Sequence, residues 1–199
     1  MGSLLAKLFS DIDTMYLCSL KSITPDDVEG SANLWCPSRK VPFKKEDKIV
    51  LVEPDSASNK LIDVFVSHQW FDTTYIADAE KSSKGNGEIF YWDMKTSGII
   101  KATNSLVARN LKDFENKPKE EWRFWVDRVC VDQERKDMKI HATKNFELYI
   151  QISKALVVLV SPEYFERLWC VFEYSSFIFY HDMKNIAVYA WGKLKWVVD

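Results

Sequence analysis

The chain has 199 residues, a hydrophobic share of 47% and a formal net charge of −2. This mix excludes a long disordered protein and leaves room for one domain with at most an appended segment. The slight acidic excess argues against a general nucleic-acid binder, and no apolar run reaches the ~18 residues of a membrane-spanning helix, so neither nucleic acid nor membrane is expected as a partner.

The four cysteines, Cys18, Cys36, Cys130 and Cys170, lie far apart with no Cys-x-x-Cys, so no metal site is expected. Counting alone leaves disulfides open. The start, Met-Gly-Ser-Leu-Leu-Ala, has no basic n-region or cleavage site and puts Ala6 where a myristoylation motif wants Ser or Thr. A cytoplasmic chain with reduced thiols is expected.

Residues 1–60 read as an N-terminal extension. Leu4, Leu5, Leu8, Ile12 and Met15 recur at helical spacing, Pro25, Gly30, Pro37 and Pro42 punctuate a loop, and Ile49-Val50-Leu51-Val52 suits a short strand. The composition shifts at Leu61. Leu61 to Val66 is an apolar, β-branched run with a single charge, the pattern of a strand covered on both faces. Phe124 to Asp127, Ala155 to Val160 and Ile186 to Ala190 are further strand candidates. Helical patterns fall between them: one stripe of Phe146, Tyr149, Ile150 and Ser153, and another stretch from about Tyr164 to Tyr180. Strand–helix alternation predicts an α/β fold, a flavodoxin-like open parallel sheet of four to five strands flanked by helices. The domain spans 61–199, with an insertion around 72–122 that holds a turn at Gly85-Asn86-Gly87 and a helix from Asn104 to Phe114.

In such sheets ligands collect beyond the carboxyl ends of the strands. The residues there are Ser67-His68-Gln69-Trp70, Asp127-Arg128 and Ser161-Pro162, which are expected on one rim. On the last predicted helix, Glu173 shares its face with Trp169, Cys170 and Phe177. A carboxylate on an apolar stripe is either paired with a Lys or Arg at the stripe's edge, or sits in a functional cleft where desolvation raises its pKa.

Several pieces of this pattern resemble one family. Asp63-Val64-Phe65-Val66-Ser67-His68 resembles the first strand of a TIR (Toll/interleukin-1 receptor) domain, and Phe124-Trp125-Val126-Asp127 its second strand. Ile152 to Tyr164 is similar to the third strand with its Ser-Pro exit. Arg167-Leu168-Trp169-Cys170-Val171-Phe172-Glu173 is similar to the Trp-Cys-x-x-Glu helix. The resemblance covers about residues 61–191 and implies a TIR-like fold acting in signalling or innate immune defence.

For catalytic TIR domains the resemblance implies an NAD⁺ glycohydrolase that breaks the nicotinamide–ribose bond to give nicotinamide and ADP-ribose or a cyclic form. NAD⁺ would be the substrate, with no further cofactor, and TIR–TIR self-association would activate it. Carried over, Glu173 is the catalytic residue. Ser67, His68, Trp70, Asp127, Arg128, Trp169 and Cys170 are expected at the substrate, with Ser67, His68 and Trp70 on the loop after the first strand. The stretch from Arg128 to Lys139 would be the mobile gating loop. The usual last strand and helix find no counterpart, and the N-terminal residues are expected to pack on the sheet edge in their place.

Two alternatives stand beside this reading: a non-catalytic scaffold acting through TIR–TIR contacts, and an enzyme like a nucleoside deoxyribosyltransferase. A Cys130–His68–Asp nucleophile triad has no supporting spacing, Gly85-Asn86-Gly87 lacks the Gly-Lys-Ser/Thr end of a phosphate loop, and Asp11-x-Asp13 has too few ligands nearby for a metal. The basic residues Arg39, Lys40, Lys44 and Lys45 are balanced by Glu46 and Asp47. The aromatic excess from Phe172 to Tyr180 suggests a surface shared with another subunit.

Overall fold

A computed structural model describes residues 15–20, 49–51, 62–70, 87–109, 111, 114 and 117–190. The strands are β1 (Met15–Ser19), β2 (Ile49–Leu51), β3 (Ile62–His68), β4 (Arg123–Trp125), β5 (Ser153–Val160) and β6 (Ile186–Ala190). The helices are α1 (Gly87–Ala108), α2 (Asp127–Cys130), α3 (Lys136–Lys144), α4 (Phe146–Gln151) and α5 (Leu168–Tyr180).

The sheet runs β2-β1-β4-β3-β5-β6. β3 pairs in parallel with β4 and with β5, and β5 in parallel with β6. This is the α/β, flavodoxin-like parallel arrangement that strand–helix alternation predicts, with a first strand at the centre and its successors on either side. Every residue of β3 is buried, because both of its edges are paired and helices cover both faces. α1 packs on β5 and β6, while α4 and α5 pack on each other and on β3.

The N-terminal segment belongs to this sheet. β1 runs antiparallel to β4, with Cys18 opposite Phe124, and β2 runs antiparallel to β1. It therefore packs on the sheet edge as expected, but on the β4 edge. In the flavodoxin order a further parallel strand would lie beyond β6, at the opposite end. The helix predicted from Leu4 lies outside the described residues except for Met15, which is the first residue of β1.

Several boundaries differ from the sequence reading. The helix expected from Asn104 to Phe114 is α1, which begins at Gly87 and ends at Ala108. Its buried residues Lys95, Ile99, Ala102 and Leu106 form a stripe at helical spacing, and a lysine on that stripe hides the pattern. Gly85 and Asn86 of the expected turn lie outside the described residues. Ser153, read as helical, opens β5 instead, since Ile152 caps α4 and its N–H returns to Leu148 O. Ser67 and His68 are the last two residues of β3 rather than loop residues. The predicted gating loop is partly helical, as it holds most of α2 and the first turn of α3.

At the amino end of the parallel strands, the buried Asp63 of β3 ties its neighbours together. Its carboxylate meets Lys154 of β5 at 2.8 Å, Lys117 at 2.5 Å, and both the backbone N–H (2.7 Å) and Nε (3.3 Å) of Arg123 on β4. Burial pushes its pKa up, but Lys117, Lys154 and the Arg123 N–H outweigh that and hold it below the ordinary value. This explains the one charge in an otherwise apolar run, and it places a structural ion cluster at the end opposite the candidate site.

Candidate active site

At the carboxyl ends of the strands the three expected rim segments do converge. Gln69, just past β3, accepts from Ser161 Oγ at 3.1 Å and donates from Nε2 to Glu163 at 3.1 Å, so side chains close the crevice between β3 and β5. His68 Nε2 lies 2.9 Å from Asp127 Oδ1, joining the exits of β3 and β4. An open cavity of about 190 Å³ lies on this β4 side. Trp70, Trp125, Phe146 and Trp169 give it aromatic walls, and Asp127 and Gln133 supply polar groups.

Asp127 is the carboxylate of this cavity, whose lining also includes Lys139 and Thr143. Its side chain is 24% exposed, and it accepts from His68 Nε2, from Trp70 Nε1 and, at 2.5 Å, from the Arg128 N–H. Burial pushes its pKa up, but His68, Trp70 and the Arg128 N–H more than reverse this and hold it below the ordinary value. The Arg128 guanidinium sits 4.9 Å over the Trp70 ring rather than in the cavity wall.

A buried lysine sets the state of His68. Lys95 of α1 is 0% exposed, and its ammonium donates to the Gln69 and Trp70 carbonyls and reaches His68 Nδ1 at 3.1 Å. His68 Nδ1 lies against both the Lys95 ammonium and, at 3.2 Å, the Gln69 carbonyl; because the ammonium only donates, Nδ1 is assigned as its acceptor and the imidazole proton to Nε2, where it donates to Asp127. Burial first, then the Lys95 charge, lowers the pKa of His68, with Asp127 acting the other way. His68 is thus a neutral spacer between a buried cation and an ionised carboxylate.

Glu173 lies behind the cavity rather than in its wall. On α5 the buried face is Cys170, Glu173 and Phe177, so helical spacing turns the carboxyl inward, and the residue is 3% exposed. It accepts from Ser67 Oγ, which also contacts Tyr164 Oη, and Tyr164 in turn donates to the Cys170 carbonyl at 3.3 Å. Burial pushes the Glu173 pKa well above 4.5. The Asp127 charge adds to this, while hydrogen bonds from Ser67 and Trp169 oppose it. The partners are a hydroxyl and an indole, so the Lys or Arg pairing weighed as the ordinary explanation is not what holds this glutamate. Burial likewise pushes the Cys170 thiol up to about 12, which makes it a packing group rather than a nucleophile.

Of the expected site residues, Trp70, Asp127 and Trp169 line the cavity. Ser67, His68, Cys170 and Glu173 form the layer beneath, and Arg128 covers Trp70 from outside. Trp169 connects the layers, because it lines the cavity, bonds Glu173 and packs on Phe146 with ring centroids 4.5 Å apart. Sequence reasoning missed Lys95 and Tyr164. A lysine at stripe spacing with Ile99 and Ala102 was the available signal for the first. For Tyr164, nothing local showed that its hydroxyl turns toward Ser67.

Cys130 sits on α2 with its sulfur 3.7 Å from Cys18 Sγ, so it does not meet His68 as a triad would require. Cys18, Cys130 and Cys170 are free and buried, and Cys36 lies outside the described residues. Among the described residues no three His, Cys, Asp or Glu side chains group as a metal site would, and no helix is long and apolar enough to cross a membrane. Comparisons with protein-family models, with curated proteins and with solved structures found no match to this chain.

Proposed function

We propose that the protein is a TIR-like NAD⁺ glycohydrolase. The observation that carries this reading is the layered site: an ionised Asp127 in an indole-walled cavity, with the buried carboxyl of Glu173 directly behind Trp169. The nicotinamide of NAD⁺ is a cationic ring that leaves as a neutral molecule, so the departing group needs no proton. What the reaction needs is negative charge where the ribose becomes oxocarbenium-like, and a surface that accepts a flat cation. Asp127 supplies the first in the resting cavity, and Trp70 and Trp169 supply the second.

At about 190 Å³ the cavity is smaller than the ~300–1,000 Å³ of most ligand sites, so a dinucleotide needs it to open. Displacement of the Trp169 indole opens it and uncovers Glu173. The carboxyl then meets water, loses its desolvation penalty and ionises beside the ribose. Glu173 is the catalytic glutamate in this reading, and Ser67 and Tyr164 are positioning residues that hold it.

A second reading, the non-catalytic scaffold, is favoured by one feature. Leu168 (84% exposed), Phe172 and Phe179 (80% exposed) form an apolar stripe on the outer face of α5. Such a stripe suits contact with another copy. In the first reading the same contact is the activating one.

The test is nicotinamide release from NAD⁺ by wild type, Glu173→Gln and Asp127→Asn, each at low and high protein concentration, with circular dichroism as the folding control. Release by wild type and its loss in Glu173→Gln support the enzyme. Loss in Asp127→Asn alone moves the catalytic role to Asp127. No release by concentrated wild type, from NAD⁺ or from nucleosides, leaves the scaffold.

A further inference from the structure

Two thiols meet where the N-terminal strand joins the sheet. Cys18 of β1 and Cys130, the last residue of α2, are 0% and 2% exposed, and their sulfurs lie 3.7 Å apart across 112 positions of sequence. Both thiols turn to the same acceptor, the Phe124 carbonyl, at 3.5 Å from Cys18 Sγ and 3.6 Å from Cys130 Sγ. A disulfide bond is about 2.05 Å long, so closing the gap takes a movement of about 1.6 Å shared between the two side chains.

The two sulfurs differ in access. Cys130 lines a cavity of about 320 Å³, and the exposed side chains of Arg135 and Asp137 line the same cavity, so it reaches solvent. Cys18 is not part of that lining. The Val126 N–H donates to Cys130 Sγ at 3.4 Å and helps hold it beside Cys18.

The position of the pair gives a bond between them a consequence. β1 pairs with β4 through a short ladder, Cys18 with Phe124 and Ser19 with Arg123. α2 starts at Asp127, the carboxylate of the cavity at the strand exits. A bond from Cys18 to Cys130 fastens β1 to the helix that carries Asp127. It also closes a long loop, where a crosslink takes most entropy from the unfolded chain.

We propose that Cys18 and Cys130 form a reversible oxidation site, a dithiol at rest and a disulfide after exposure to a hydroperoxide. A small hydroperoxide that enters the cavity meets Cys130 first. The Cys130 sulfur attacks one peroxide oxygen and the O–O bond breaks; with hydrogen peroxide the products are a sulfenic acid and water. The Cys18 sulfur then attacks the Cys130 sulfur. Its proton leaves with the sulfenic hydroxyl as a second water, and the disulfide remains. The two thiols lose two electrons in all, and the peroxide gains them. A dithiol reductant reverses the change by thiol–disulfide exchange. The inference stands whether or not NAD⁺ is cleaved.

The test treats the full native chain with millimolar hydrogen peroxide, weighs it intact, then alkylates the remaining thiols and maps the peptides by mass spectrometry. A loss of two hydrogens is expected, with a crosslinked peptide joining Cys18 to Cys130 that disappears with dithiothreitol. In Cys18→Ala, which lacks the second thiol, dimedone should trap a sulfenic acid at Cys130. In Cys130→Ala, Cys18 should stay unlabelled. Oxidised wild type should unfold at a higher urea concentration, with its unfolding constant lowered about 30- to 1,000-fold. The proposal is overturned if every thiol stays alkylatable, if Cys130 goes to sulfinic acid without a bridge, or if the bridge forms only in urea. Pairing with Cys36 or Cys170 instead, dimedone on Cys18 in Cys130→Ala, or an unchanged urea midpoint after oxidation overturns it equally.

Discussion

Ser67 Oγ, near the end of β3, donates to Glu173 Oε2 on α5, across 106 positions of sequence. This bond fixes a carboxyl that has otherwise been taken out of water, and it joins the central strand to the helix that carries Trp169. Its consequence is thermodynamic as well as functional, because a buried carboxyl with a raised pKa makes stability depend on pH.

Between pH 4.5 and the folded pKa of Glu173, the native state holds a proton that the unfolded state has lost. The stability this group contributes is full below 4.5 and is lost as pH rises through that window. Wild type should therefore lose stability relative to Glu173→Gln as pH rises, at up to about 1.4 kcal/mol per pH unit. Urea midpoints of both proteins from pH 4.5 to 8 check this. Parallel curves would show that Glu173 is not held in its protonated form.

Lys95→Met removes the donor shared by two carbonyls and His68 Nδ1. A loss of about 2–4 kcal/mol is expected, since buried acceptors are left without a partner. The Lys95 charge also helps to lower the His68 pKa, so the variant should titrate His68 at a higher pH than wild type. In wild type, stability should fall as pH drops below 6.5, because the unfolded imidazole then takes a proton that the native one refuses. Imidazole NMR titration resolves the three histidines, and an unmoved His68 pKa would show that the Lys95 charge does not depress it.

Gly98 of α1 leaves room for Tyr189 of β6. A Cβ there would lie 2.5 Å from Tyr189 Cδ1 and 3.2 Å from Leu159 Cδ2. Gly98→Ala should gain up to about 1 kcal/mol of helix propensity yet lose about 1–3 kcal/mol to overpacking, for a net destabilisation. Adding Tyr189→Ala should recover most of the overpacking loss. Chemical denaturation of the four proteins of this cycle gives the coupling directly, and additive effects would mean the ring is not the obstacle.

Leu168→Glu and Phe179→Glu place charge on the apolar stripe of α5 without touching its buried face. Leu168 opens the helix, where an acidic side chain complements the dipole, so folding stability should change by less than about 1 kcal/mol. Sedimentation velocity should show self-association in wild type and its loss in the double variant. A wild type that stays monomeric at high concentration removes the stripe as an interface.

The sequence by itself determined the parallel core. Apolar β-branched runs such as Ile62 to Val66 and Ala155 to Val160 suit strands covered on both faces, and strand–helix alternation then makes those strands parallel and places their exits on one rim. It also determined that Glu173 faces inward, because helical spacing from Cys170 to Phe177 is a local property. The tertiary structure alone decided what meets those residues. The ammonium of Lys95 reaches the exit of β3 from α1, Tyr164 turns to Ser67, and Met15 pairs into β1 at the β4 edge rather than extending a helix. None of these has a periodic signature. Hydrogen bonds of a buried polar group are satisfied by whatever donor the packed fold brings within reach, and that depends on chain segments far apart in sequence. For the same reason, only the packed fold shows that the ionised carboxylate lining the cavity is Asp127, with Glu173 waiting behind an indole.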